Sequence, residues 1–252
     1  MPAVFIGHGS PMNALERNRY TEAWRALGAA LPKPQAVLCI SAHWLTRGLA
    51  VTAMAGPRTI HDFGGFPREL SALQYPAPGD AVLAARVAEL LAPTRVAQDL
   101  SWGLDHGAWS VLVHLFPQAD VPVVQLSLDA NQPAGFHYAL GQRLSALRDE
   151  GVLILGSGNV VHNLGRIDWS GGAYDWATRF NDWARARIER DEHAALLAWQ
   201  AQGEDARLAV PTPEHYWPLL PVLGAQRAGE SAQLLSDGVE MGSIGMLALR
   251  VG

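Results

Sequence analysis

The sequence predicts an α/β fold, a single domain built on a central, mostly parallel or mixed β-sheet flanked by helices. Three observations lead there. Short apolar runs close on glycine, serine or histidine at Ala3–Ile6, Ala36–Ser41 and Gly151–Gly156, the pattern of strands covered on both faces. Amphipathic stretches of helical period alternate with them, as α/β order requires. The chain has 252 residues, 49% of them apolar, and no Pro/Ser-rich linker, low-complexity block or repeat divides it. Residues 1–252 therefore read as one domain with a substantial core.

Taken in order, Ala3–Ile6 is the first strand, followed by a tight turn through Gly7-His8-Gly9-Ser10-Pro11. Tyr20–Leu31 is an amphipathic helix through Trp24, Leu27 and Leu31, ended by Pro32 and Pro34. Ala36–Ser41 is the second strand, so the order β-α-β implies parallel pairing. Ala50–Met54 is a further strand candidate. Thr59–Pro67, a glycine- and aromatic-rich loop, is read as a lid over a pocket. Asp80 starts a helix over Ala81–Leu91, and Arg95–Ala97 is a short strand. An apolar helix covers Ala108–Phe116, and β-branched Val121–Ser127 is a strand. Phe136–Arg148, Tyr174–Arg190 and His193–Gln200 follow as helices around the strand Gly151–Gly156. Thr212 is the cap and Pro213 the first residue of a short helix that carries His215 in its first turn. Gly245–Val251 closes the chain as a strand.

The net charge is −5 with no run of like charges, which excludes nucleic acid and anionic membrane surfaces as expected partners. No apolar segment is long enough to span a bilayer. The start, MPAVFIGHGSP, lacks the basic region of a signal peptide, so a cytoplasmic protein is expected. The lone cysteine, Cys39, lies inside a predicted strand and reads as buried and inert. Nine tryptophans are mostly core residues, as the spacing of Trp176, Phe180, Trp183 and Ile188 shows; Trp44 and Trp102 are candidates for pocket walls.

The nine histidines carry the chemistry. A lone histidine is more often a hydrogen-bonded core or surface group than a ligand, and His114, His137 and His193, inside predicted helices, are read that way. His8, His43 and His162 share a different context. Each follows a buried strand within a few residues, where open α/β sheets hold their ligands, and neutral imidazole is the commonest metal ligand. His106 stands between Asp105 and Gly107, and two readings stay open. Asp105 orients it for proton transfer, or Asp105 caps the next helix and His106 is incidental. Other motifs fail. GSGNVV lacks the third glycine of a dinucleotide fingerprint, no phosphate-binding loop occurs, and Ser10 and Ser157 lack a nucleophile elbow.

Six segments together resemble one family: GHGSPMN at His8, SAHW at His43, TIHDFGGFP, DHGAW at His106, SGNVVHNL at His162 and PTPEHYWPLL at His215. It is the extradiol aromatic ring-opening dioxygenases of the protocatechuate 4,5-dioxygenase catalytic-subunit type, and the likeness is greatest to the bacterial branch acting on DOPA. The resemblance spans nearly the whole chain. It implies one divalent metal bound by His8, His43 and His215. His162 matches a histidine treated as a fourth ligand in one branch and as the acid/base group in another, and His106 matches one that lines the substrate pocket. The implied reaction inserts both atoms of O2 into a small-molecule catechol, with Fe(II) for turnover and Zn(II) as a further candidate for the bound ion. His215 stands where the protocatechuate enzymes use a glutamate; the adjacent Glu214 is expected to point elsewhere. Three neutral imidazoles leave the ion's charge uncompensated, which favours an anionic chelator such as a catecholate. An all-histidine set also suits zinc, so a zinc-dependent hydrolase and a non-catalytic binding module are the competing expectations.

Overall fold

The computed structural model describes residues 1–252. Its main sheet is built from six strands: β1 (Ala3–Gly7), β2 (Ala36–Ser41), β3 (Val123–Gln125), β4 (Val152–Gly158), β5 (Ala232–Ser236) and β6 (Ala248–Val251). They lie in the order β3-β2-β4-β1-β6-β5. The first four are parallel; β6 runs antiparallel to both β1 and β5, so the sheet is mixed.

The inner strands β1, β2 and β4 are almost wholly apolar because both faces are covered. Along β1, Ala3 and Phe5 belong to one core cluster while Val4 and Ile6 belong to the other; Leu38 and Cys39 of β2, and Ile154 and Leu155 of β4, divide in the same way. Side chains alternate across a strand, so a run with no polar member is the mark of a sheet sandwiched between helices. One face is covered by α1 (Arg19–Ala30) and α3 (His106–Leu115), through Trp24, Leu27, Trp109 and Leu112. The other is covered by α2 (Ala81–Leu91), α4 (Ala134–Leu144), α5 (Asp175–Glu189) and α6 (Leu219–Gly224), with Val87, Leu140, Phe180 and Leu220 in the core.

Capping sets the helix starts. Asn18 accepts from the amides of Tyr20 and Thr21, and Thr21 returns the bond to the Asn18 amide, a reciprocal box that begins α1. Asp80 accepts from Val82 and Leu83 at the start of α2. Asp105 accepts from the Ala108 amide, so it is the cap of α3 and His106 is that helix's first residue.

Several boundaries differ from expectation. The stretch Gly245–Val251 is not one strand: Ile244–Gly245 pairs with Val239–Glu240 in a separate two-stranded sheet, and only Ala248–Val251 joins the main one. Val121–Ser127 contributes three residues, since Pro122 lacks an N–H and Leu128–Asp129 turns away to pair with Leu45–Thr46. The Tyr174–Arg190 helix is present as Asp175–Glu189, while His193–Gln200 breaks into a helix at His193–Leu197 and a 3-10 turn at Trp199–Gln202. Thr212 stands at the cap position of the 3-10 turn Pro213–His215, but its hydroxyl donates to Glu214 Oε1 and caps no amide.

Register places the functional end. Gly7 of β1 pairs with Gly158 of β4, and Ser41 of β2 with Ser157. Three parallel strands therefore finish at one edge, and His8, His43 and His162 follow within four residues of it. No helix is long and apolar enough to cross a membrane.

Candidate metal centre

His8, His43 and His215 meet above this edge. Each offers one ring nitrogen, and the three nitrogens all lie within 4.8 Å of one another. His43 Nε2 stands 3.2 Å from His8 Nε2. The rings point at a common centre: centroids are 5.1 Å apart for His8–His43, 5.5 Å for His8–His215 and 5.0 Å for His43–His215.

The chain that delivers His215 needs two glycines. A Cβ on Gly158 would come within 2.2 Å of the His215 carbonyl, and one on Gly156 within 2.2 Å of the Pro218 carbonyl. These glycines let segment 213–218 lie directly on β4; they do not bend the strand, which continues through both. The Asn159 amide donates to the His215 carbonyl at 2.7 Å and fixes the overlap.

Behind each ring the Nδ1 nitrogen has a partner. His8 Nδ1 lies 2.9 Å from Ser157 Oγ, whose own hydrogen is donated to the Gly107 carbonyl at 2.5 Å. The hydroxyl is thus the acceptor from His8, which puts the imidazole hydrogen on Nδ1 and leaves Nε2 bare. His215 Nδ1 lies 3.1 Å from Glu214 Oε1. His43 Nδ1 lies 3.3 Å from Asp62 Oδ2. His215 Nε2 is buried with no hydrogen-bond partner, which a buried polar atom ordinarily does not tolerate.

All these imidazoles are neutral near pH 7. Burial, then the neighbouring imidazoles, push His8 and His215 well below 6.5. Burial and His106 push His43 down to about 4, and burial and His43 push His162 down to about 4. Neutral, clustered ring nitrogens with acceptors behind them are the donor set of a divalent transition metal. The residues present fit such an ion.

His162 sits differently. Its ring stacks on His215 with centroids 3.4 Å apart and planes 6° from parallel. Imidazole lone pairs lie in the ring plane, and a metal–nitrogen bond is about 2.0–2.1 Å. His162 is not in the group formed by His8, His43 and His215, but one of its ring nitrogens, one of His215 and a Glu214 oxygen lie within 4.8 Å of one another, a second group able to hold an ion. Glu214, expected to point elsewhere, is turned to the back of His215, and one of its oxygens also lies within 4.8 Å of a His162 ring nitrogen. His106 does face the cluster, 3.8 Å from the His43 ring. Its carboxylate neighbour is Asp62, at 2.9 Å from Nδ1, and not Asp105. Asp105 instead accepts from Ser41 Oγ and Gln125 Nε2.

The five histidines line one cavity of about 670 Å³ whose walls include Met12, Phe63, Phe66 and Met246. Segment 59–67 supplies two of those walls. Trp44 and Trp102 stack on each other at 5.5 Å and 5° and are not among the cavity's walls; Trp169 is.

The family described as the catalytic LigB subunit of aromatic ring-opening dioxygenase matches residues 3–251. The chain belongs to this family. Among LigB relatives, the 4,5-DOPA dioxygenase extradiol of Escherichia coli K12 is 51% identical, covering 100% of this chain and 95% of that protein. The enzyme of the same name from Beta vulgaris is 38% identical over 92% of this chain and 90% of its own length. A crystal structure of an uncharacterized Escherichia coli K12 protein matches with a TM-score of 0.88 and 46% identity, covering 100% of both chains. The family resemblance seen in the six motifs is borne out, and with it a ring-opening dioxygenase. Neither the hydrolase nor the non-catalytic module is favoured.

Sequence reasoning missed Asp62 as a partner of two histidines, and Ser157 and Glu214 as the groups behind His8 and His215. Asp62 lay inside a quoted motif, but only the folded chain brings it to His43 and His106.

Proposed function

We propose that the protein is an Fe(II)-dependent extradiol dioxygenase that opens a catechol of the DOPA class at the 4,5 position with O2 as co-substrate. The observation that carries the reading is the convergence of three imidazole ring nitrogens, from His8, His43 and His215, in the wall of one cavity. The substrate class is taken over from the relatives, which are named for 4,5-DOPA.

His8, His43 and His215 would hold the metal, which supplies chelation of both catechol oxygens and the electron exchange with O2 that ring opening needs. Three neutral ligands leave its charge uncompensated, so the site selects a chelating anion. His162 acts as the acid/base group. Its neutral imidazole accepts a proton from a substrate hydroxyl and returns it later, and its stacking on His215 holds it beside the metal ligands without competing for them. His106 lines the substrate pocket and moves the second proton. Met12, Phe63, Phe66 and Met246 exclude water and receive the ring.

The test is reconstitution of metal-free protein with Fe(II) or Zn(II), followed by oxygen uptake and formation of the yellow ring-opened product from a catechol panel. Iron should give stoichiometric uptake of O2 and zinc none, since zinc exchanges no electrons. Equal turnover with zinc would reject the redox assignment.

A further inference from the structure

One carboxylate faces two imidazoles at the centre. Asp62 Oδ2 lies 3.3 Å from His43 Nδ1, and Asp62 Oδ1 lies 2.9 Å from His106 Nδ1. Oδ1 also accepts from the His106 amide at 3.0 Å, so its approach to the ring nitrogen is a close contact rather than an aligned hydrogen bond. Asp62 is delivered by a segment with a firm base: the Ile60 amide donates to the Leu104 carbonyl at 2.7 Å, and Trp109 Nε1 donates to the Ile60 carbonyl at 2.8 Å. The next residue, Phe63, sets its ring edge-on to His106 at 5.6 Å and 83°. The pair Asp62-Phe63 thus holds His106 from two sides.

We propose that Asp62 is a positioning residue for two imidazoles at once, fixing His43 as a metal ligand and His106 as a cavity group, each with its hydrogen on Nδ1. The proposal rests on the reading of His43 as a ligand given above, but not on the identity of the substrate. A carboxylate has only acceptor sites, and a neutral imidazole has one N–H. Two imidazoles that both turn Nδ1 to one carboxylate are both favoured with a hydrogen there, which reserves the Nε2 of His43 for the metal. That is the nitrogen hydrogen-bonded to His8 Nε2 at 3.2 Å, so without metal one of the two nitrogens carries a hydrogen, and it must leave when an ion binds both. Anchoring the loop would require only Oδ1 on the His106 amide. The second oxygen, turned to His43, has no such use.

Asp62→Asn separates the two roles, because an amide has one acceptor and one donor at this place. It can satisfy one ring only, and its NH2 group facing His43 Nδ1 would favour the tautomer that puts the hydrogen on Nε2, where the metal binds. Zinc affinity, measured by competition with a chromogenic chelator, should fall about ten- to hundredfold, while the melting temperature of the metal-free protein shifts by no more than a few degrees. In 15N spectra of zinc-loaded wild type, His43 and His106 should both report Nδ1–H, and at least one should change in D62N. Zinc affinity within twofold of wild type with both tautomers unchanged would overturn the proposal. Should D62N not fold, the zinc-loaded wild-type spectrum still decides, because Nε2–H on either ring contradicts it. A wild type that opens no catechol would reject the dioxygenase reading and leave these readouts standing.

Discussion

Ser157→Ala removes one oxygen and should weaken metal binding far more than folding. In the wild type, Ser157 Oγ accepts from His8 Nδ1 at 2.9 Å and donates to the Gly107 carbonyl at 2.5 Å. His8 is only 1% exposed, so water does not replace the lost acceptor. The metal-free variant has an escape: the imidazole hydrogen moves to Nε2, which faces the cavity. Metal binding closes that escape by requiring Nε2 bare, and it forces a buried, unsatisfied Nδ1–H. Such a group costs roughly 1–3 kcal/mol, which at about 1.4 kcal/mol per tenfold corresponds to a loss of roughly 5- to 150-fold in affinity. The assay is zinc competition against a chelator, beside urea unfolding of the metal-free protein, where the change should stay under about 1 kcal/mol. Zinc affinity within twofold of wild type, or a large folding defect with affinity unchanged, would refute the reasoning about the His8 tautomer.

Other outcomes follow from the same geometry. Glu214→Gln leaves one acceptor for His215 Nδ1 but removes the charge behind it, and chelator competition should show zinc affinity lowered about tenfold or more. If His162 is the acid/base group proposed above, His162→Ala should leave zinc affinity within a few-fold of wild type while turnover of the iron form drops roughly hundredfold or more. Metal-free protein should lose stability as pH falls from 6.5 towards 4. His137, pushed down to about 4 by burial, binds its proton later in the folded than in the unfolded chain, so stability is full above 6.5 and is lost on acidification. At pH 5 one such group contributes a loss of about 2 kcal/mol; a urea midpoint unchanged between pH 7 and pH 5 would contradict this.

The fold was legible wherever burial on both faces removed polar residues from the sequence. Ala36–Ser41 and Ala81–Leu91 appear with the expected bounds, the first because every position is buried, the second because Asp80 caps it. Ala232–Ser236 escaped notice because it is an edge strand, bonded only to β6 and half exposed, so it lacks an apolar run. Gly245–Val251 looked continuous because Met246 and Leu247 are buried although they lie between strands. At the site, strand-end context singled out His8, His43 and His162, since consecutive strand ends gather at one sheet edge. His215 has no strand before it; its place depends on segment 213–218 lying across Gly156 and Gly158, and beyond its proline-flanked turn, a weak pattern, the family resemblance pointed to it. Asp62 and Glu214 were silent for the same reason: a carboxylate's partner across the fold leaves no local pattern.

The central claim, that His8, His43 and His215 grip one ion, is tested most directly by anomalous diffraction from crystals of the iron- or zinc-loaded protein. The account predicts a single strong peak about 2.0–2.1 Å from one nitrogen of each of these three histidines, with His162 outside bonding distance. A peak elsewhere, or one ligated by His162 in place of any of the three, would contradict it.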